Sequence, residues 1–314
     1  MFLSLEEYKI SKQLTALSVI EDRDYFLWQQ EVQLFHIQEN FKELNIEVVI
    51  LYETESPSKW AKKLAENHNV SLYRIGQSSK SNYKCQIKPL GVHLRVSDKS
   101  KPVLENILAI DSDVIFNKKI NYKSVLENST WLLSDCSSYL DYKYLSKQLS
   151  DDQITELGQI VGVSLEDIKS IKRAGGAQYL YKNISNYPNI FEKMANDSVL
   201  LHNRLLEFSE LGSKVQVHTA EMWSQLWNIH KICEWQISED MTFAWATTPI
   251  KERSNYAFTH FAGSPSEEGS FKKTKHSHNI FKEDLNYVTF KDNCSYHWYE
   301  LIEKYKKKSI GFNL

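Results

Sequence analysis

Ile107-Leu108-Ala109-Ile110-Asp111-Ser112-Asp113-Val114-Ile115-Phe116 carries the densest chemical signal in the chain. Apolar residues run into two carboxylates two positions apart, and apolar residues resume. The run from Asn106 to Ile110 predicts a buried strand that ends at Asp111. Carboxylates leaving the end of such a strand can converge on one hard cation, Mn²⁺ or Mg²⁺, which favours oxygen ligands and keeps sites for phosphate oxygens. The same residues also suit a strand followed by an acidic turn, because Asp is common in turns.

Upstream, strand-like and helix-like segments alternate. Leu14 to Ile20 reads as a strand, and Tyr25 to Leu44 carries apolar residues at helical spacing. Ile46 to Tyr52 is a β-branched run suited to a strand buried on both faces. Ser56-Pro57-Ser58 opens a helix to about His68, Val70 to Ile75 is a third strand, and Leu90 to Val96 is helical. This alternation predicts an α/β fold with a mostly parallel central sheet flanked by helices. Ligands in such sheets sit beyond the carboxyl ends of the strands, where Asp111 to Asp113 lies.

Downstream the pattern is less regular. Asp151 to Lys172 reads as one helix, and Gly175-Gly176 as a break before a strand at Ala177 to Tyr181. Helices are expected at Ile190 to Leu211 and Thr219 to Ile229, and strands at Phe243 to Ala246 and Tyr256 to Phe261. Tyr305-Lys306-Lys307-Lys308 reads as a solvated basic end. With no linker, the expectation is one domain over 1–314. It comprises a nucleotide-binding half (12–134), an acceptor half (135–290), and a C-terminal helix and basic tail (291–314).

Composition removes several function classes. Lys+Arg 38 against Asp+Glu 40 gives a net charge of −2, so no global field gathers nucleic acid or anionic lipid. No apolar run is long enough to span a bilayer, and Met1 to Glu7 turns acidic without the basic start of a secretory signal. The four cysteines form no CxxC pair, which fits reduced thiols and a cytoplasmic protein. Neither GxxxxGK[ST] nor GxGxxG occurs.

A second constellation follows late in the chain. Thr259-His260-Phe261-Ala262-Gly263 ends a strand, and Lys272-Lys273 comes shortly after. A neutral His can complete a metal shell begun by two carboxylates, Gly263 lets backbone N–H groups approach a phosphate, and the lysines add positive charge. In isolation His260 also reads as a hydrogen-bonded structural residue, and Lys272-Lys273 as solvated surface. Together the two motifs resemble GT-A-type nucleotide-sugar glycosyltransferases with a DxD motif. His260-Phe261-Ala262-Gly263 with a downstream Lys is similar to the HxxGxxKPW signature of retaining family 8 enzymes, although no Pro-Trp follows. Tyr25-Phe26-Leu27-Trp28-Gln29 resembles the Tyr-x-x-Trp-Gln stretch of hydroxyproline arabinosyl- and serine galactosyltransferases.

The resemblance implies a metal held by Asp111, Asp113 and His260. It implies a nucleotide-sugar donor, a UDP-sugar, contacted by Lys88, Ser112, Asp135, Gly176, Gly263 and Lys272 or Lys273. Gln178 would bond a sugar hydroxyl, and Glu221 or Asp240 would face the acceptor. Charge separation at the anomeric carbon then resembles that of glycoside hydrolysis. With retention, a diphosphate oxygen takes the acceptor proton, whereas inversion needs a carboxylate base such as Glu221, Glu239 or Asp240. The acceptor is a glycan, a protein hydroxyl, or a hydroxymethylated base in phage DNA, and the setting is a bacterial or phage-infected cytoplasm. Two other readings stand beside this one. The first is a haloacid-dehalogenase-type phosphatase with Asp111 as nucleophile. The second is a non-catalytic nucleotide-sugar-binding protein.

Overall fold

The computed structural model describes residues 14–76 and 83–311. In chain order the strands are β1 (Leu14–Glu21), β2 (Asn45–Tyr52), β3 (Val70–Arg74), β4 (Asn106–Ile110), β5 (Val114–Phe116), β6 (Trp131–Asp135), β7 (Gly175–Tyr181), β8 (Trp235–Ile237), β9 (Phe243–Trp245) and β10 (Phe258–His260). The longer helices are α1 (Asp24–Asn40), α2 (Lys59–Asn67), α3 (Ile87–Ser97), α4 (Asp151–Val161), α5 (Ile190–Glu210), α6 (Ala220–Ile232) and α7 (Cys294–Gly311). Seven strands form one sheet in the order β3-β2-β1-β4-β7-β6-β8. Strands β3, β2, β1 and β4 are mutually parallel, β7 runs antiparallel to β4 and β6, and β8 is parallel to β6. This is the α/β architecture expected from the alternating pattern.

The β-branched strands bury both faces. Ile20, Val48 and Ile50 pack with Leu27 and Leu34 of α1 and with Ala61 and Leu64 of α2. Their neighbours Leu17, Val49 and Leu51 face the other way, into the large core that includes Val92 of α3 and Leu201 of α5. Burying each such side chain contributes about 1.5–3 kcal/mol. Helix α3 lies so close to β1 that a Cβ on Gly91 would sit 2.2 Å from Val19 Cγ1. Trp28, Trp131, Trp223, Trp227 and Trp298 are all fully buried, so most of the tryptophan content is core.

Between β1 and β4 the chain changes direction across the sheet. From β1 it proceeds outward to β2 and β3, then returns to β4 on the other side. The crevice beyond the carboxyl ends of β1 and β4 is therefore a topological switch point. A second sheet, ordered β5-β10-β9, closes this crevice. Its antiparallel register pairs His260 with Val114, which carries the late motif to the end of the DxD turn.

Three expectations are corrected. Asp151 to Lys172 is two helices, α4 and Leu165–Ser170, because Gly162 takes a left-handed φ of 84° and each helix has its own capping box, from Ser150 and Ser164. Gly175 and Gly176 belong to β7 rather than breaking the chain before it. A Cβ on Gly175 would meet Leu133 at 2.5 Å, so the glycines allow close strand packing. The basic C-terminal run lies within α7 and is not simply solvated. Tyr305 donates to Glu31, Lys306 to the Glu283 carbonyl at 2.8 Å, and Lys308 to Glu39 at 2.7 Å.

Candidate metal centre

Asp111 and Asp113 flank a tight turn between β4 and β5. The Val114 N–H donates to the Asp111 carbonyl at 3.1 Å, and the Phe261 N–H to the Asp113 carbonyl at 2.9 Å. From α1, Gln33 donates to the carbonyls of Asp111 (2.7 Å) and Val114 (2.5 Å) and clamps the turn from behind. Gln30 in turn donates to Gln33 at 2.8 Å. The site reading of the sequence missed these residues. Their signal was three glutamines, Gln29, Gln30 and Gln33, among the apolar residues of the helix; all three are buried. Buried amides need partners, and a backbone turn supplies them.

His260 reaches the same point from β10. Its Nε2 lies 3.3 Å from Asp111 Oδ2 and 3.4 Å from Asp113 Oδ1. One ligand atom from each of the three side chains falls within 4.8 Å of the others. Neighbouring ligands of a small divalent ion at ~2.1 Å stand roughly 3 Å apart, so this donor set of two carboxylates and one imidazole fits Mn²⁺ or Mg²⁺.

Two lysines balance the acids. Lys88 of α3 contacts both oxygens of Asp111, at 2.9 and 3.1 Å, and stands 3.9 Å from Glu221. Lys273 pairs with Asp113. Burial works against the charged forms of Asp111 and Asp113, but Lys88 beside the one, Lys273 beside the other, and His260 outweigh it and hold both carboxyls below the ordinary aspartate value. Burial also opposes charge on His260, yet the two aspartates raise its pKa to about 9. For Glu221 burial dominates and lifts the carboxyl to about 7, with Lys88 opposing.

A relay fixes the imidazole. The Gln178 amide lies 3.2 Å from His260 Nδ1, its other end 2.8 Å from Ser134 Oγ, and Ser134 donates to the Met241 carbonyl at 2.6 Å. An imidazolium, and equally an imidazole ligating through Nε2, carries a proton on Nδ1. As placed, Gln178 Nε2 faces Nδ1 and its Oε1 accepts from Ser134; a proton on Nδ1 calls for the amide turned over, with the carbonyl oxygen toward His260. Nε2, which faces both aspartates, is the nitrogen that would ligate an ion.

The centre opens into a cavity of about 580 Å³. Val19, Glu21, Tyr25, Phe26, Lys84, Tyr139, Ala177, His218, Glu221, Met222 and Trp245 are among the residues that line it. Ala177 takes an uncommon left-handed φ of 61° and puts a methyl group on the wall. Trp28 is fully buried, and its indole N–H donates to the His276 carbonyl at 3.0 Å, tying α1 to the turn that bears Lys273.

Among the residues singled out from the sequence, the cavity brings together Lys88, Asp111, Ser112, Asp113, Glu221, His260, Gly263 and Lys273. Gly263 forms the lip with a left-handed φ of 81°. Lys272 is not on the wall; its neighbour Lys273 is. Gln178 is fully buried behind His260 and does not line the cavity. Gly176 faces Met222 and Leu140, where a Cβ would lie 2.5 and 2.8 Å from their side chains. Asp135 accepts from Ser137 and Arg173 in a turn away from the cavity. Asp240 accepts from Ser124 at 2.9 Å and lines a separate hollow with Lys118, Lys119 and Glu239.

No family model matches the sequence, and no curated protein matches it. Two solved structures of the galactosyltransferase LgtC are similar to this chain. The one in complex with donor and acceptor sugar analogs aligns with a TM-score of 0.47, and an active-site mutant with 0.48. In both cases identity is 11%, over 92% of this chain and 95% of the other. No helix among the described residues is long and apolar enough to cross a membrane.

Proposed function

We propose that this chain is a metal-dependent glycosyltransferase that moves a sugar from a nucleoside diphosphate sugar, a UDP-sugar, to an acceptor hydroxyl with retention. The observation that carries the reading is the convergence of Asp111, Asp113 and His260 at the switch point of the sheet, with Lys88 and Lys273 against the two carboxylates. Mn²⁺ or Mg²⁺ bound by these three side chains would supply charge stabilisation to a departing diphosphate.

The chain's own residues provide the rest. Lys88 and Lys273 hold positive charge where diphosphate oxygens enter, and Gly263 opens the backbone at the lip. Tyr25 and Phe26, beyond β1, offer aromatic surface to the nucleoside end. Apolar walls from Val19, Ala177 and Met222 keep water from the sugar. Glu221, 3.9 Å from Lys88 and bonded by Gln225, is the carboxyl placed to touch the donor sugar or the acceptor hydroxyl. Gln178 acts through His260 rather than on the sugar.

Calorimetry with UDP-sugars and Mn²⁺ tests the reading. Wild-type protein should bind only with the ion, and Asp111→Asn, Asp113→Asn and His260→Ala should each lose ion-dependent binding while keeping the far-UV circular dichroism of the fold. Retained binding in all three variants removes the metal assignment.

A further inference from the structure

Lys273 reaches Asp113 from an irregular stretch between β10 and α7, broken only by short 3₁₀ turns. A lysine stem is flexible, so the place of its ammonium depends on how firmly its backbone is held. That backbone is one 3₁₀ turn, Lys273–Lys275. The Lys275 N–H donates to the Lys272 carbonyl and the His276 N–H to the Lys273 carbonyl, both at 3.0 Å. A turn this short has poor hydrogen-bond geometry and needs outside support.

His276, which ends the turn, supplies that support. It is 3% exposed, and every polar atom it has is engaged. Its Nδ1 lies 2.6 Å from Glu283 Oε2, and its Nε2 lies 2.8 Å from the Tyr287 hydroxyl. Its carbonyl accepts from the fully buried Trp28 indole of α1. The ring stacks on Phe271, 5.3 Å away and 3° from parallel. The Lys275 ammonium in turn stands 5.4 Å from the centre of the Tyr287 ring. Glu283 and Tyr287 come seven and eleven residues after His276, so the imidazole ties the turn to the segment that follows it. A buried polar network with its members satisfied holds the backbone in one place. The turn so held presents one side chain to the cavity: Lys272 and Lys275 are not on its wall, and Lys273 between them is.

We propose that His276 is a positioning residue for Lys273. Clamped by Trp28, Glu283 and Tyr287, it sets the Lys273 ammonium against Asp113, where a diphosphate would enter. Trp28 of the Tyr25-x-x-Trp28-Gln29 stretch is then the anchor of this clamp on α1. The role rests on the reading of the cavity as a nucleoside diphosphate site.

Calorimetry of Mn²⁺ alone, and of UDP in the presence of Mn²⁺, tests it in His276→Phe and Tyr287→Phe. Each is measured alone and combined with Lys273→Met. Both substitutions keep an aromatic ring in the stack, and far-UV circular dichroism checks the fold. A released Lys273 leaves Asp113 open to the ion. His276→Phe should therefore bind Mn²⁺ about threefold more tightly and UDP about fivefold more weakly, within the coupling range of residues that share a network. Tyr287→Phe should shift both affinities in the same directions by less, and it carries the comparison if His276→Phe does not fold. His276→Asn, which keeps a donor near the place of Nδ1, should recover part of the UDP affinity. Beside Lys273→Met, neither aromatic substitution should change either affinity further. Parallel losses of Mn²⁺ and UDP affinity, or effects undiminished beside Lys273→Met, would mean that His276 only supports the fold, and would overturn the proposal. Unchanged affinities in both aromatic variants would overturn it too. Failure of UDP to bind the wild-type protein with Mn²⁺ would sink the parent reading instead, and the Mn²⁺ arm would still decide whether His276 acts through Lys273.

Discussion

Mn²⁺ affinity should depend steeply on pH, with a slope set by one imidazole. His260 has its pKa raised to about 9, burial being outweighed by Asp113 and Asp111, so near neutrality an ion must displace a proton from Nε2. The aspartates, held below their ordinary range, need lose nothing. Each pH unit below 9 then weakens apparent binding about tenfold, and raising pH from 6 to 8 should strengthen it about 100-fold. Electron paramagnetic resonance of free aquo-Mn²⁺ gives the affinity, and calorimetry in buffers of different ionisation enthalpy should count about one proton released. Glu221, raised to about 7 by burial, stands beside the cluster, so Glu221→Gln must keep the slope if His260 sets it. His260→Ala should bind weakly and without slope. Gln178→Leu removes the partner of Nδ1 and should cost about 10–100-fold in affinity, the usual size for an outer partner of a ligating imidazole. A flat profile without proton release in the wild-type protein would refute His260 as a ligand.

Three further outcomes follow from the same contacts. Lys273→Met removes the cation competing for Asp113 and should tighten Mn²⁺ alone while weakening a nucleoside diphosphate, opposite signs that calorimetry reads directly. Gly91→Ala would force a Cβ to 2.2 Å from Val19 Cγ1 and should cost about 1–3 kcal/mol, visible as a lower melting temperature, with weaker nucleotide binding because Val19 is also cavity wall. His36 and His297 are buried bases depressed by burial to about 4 and about 3. Unfolded, both titrate near 6.5, so their stabilising contribution is complete above that pH and is lost as pH falls. By pH 4.5 each should have cost about 2.5–3 kcal/mol, which urea midpoints at pH 7 and 4.5 can check, with His297→Phe reducing the difference.

The first half of the fold was legible because its strands are short apolar runs and its helices carry apolar residues at helical spacing, one of them with a Ser cap. Ser58 does accept from the Ala61 N–H, as a cap should, and β4 spans the residues its apolar run marked. The second half was less so, because its boundaries depend on glycine conformation: Gly162 ends a helix while Gly175 and Gly176 continue a strand, and no local composition separates these uses. Asp111, Asp113 and His260 were legible as chemical types at strand ends, and the antiparallel pairing of β5 with β10 is what places them together. Gln178, Asp135 and Asp240 show the opposite case. A polar residue beside a strand has several destinies, and which one it meets depends on partners that are distant in sequence: His260, Arg173 and Ser124. Trp245 could not be told from seven other tryptophans until burial sorted them.

Charge explains why these particular residues gather. Asp111, Asp113 and Glu221 face Lys88, Lys273 and the His260 imidazolium, so the cluster is close to neutral before any ligand arrives. A buried cluster of carboxylates without those cations would be strained by desolvation and mutual repulsion. Exchange of the imidazole proton for a divalent ion leaves the cluster one charge more positive, a state that burial disfavours unless an anion accompanies it. A diphosphate supplies that anion. An ion and a diphosphate would therefore favour one another's binding at this centre, and by linkage the coupling would be the same whichever arrived first. The lysines make the cluster tolerable without an ion, and they would favour an anionic group beside a bound one.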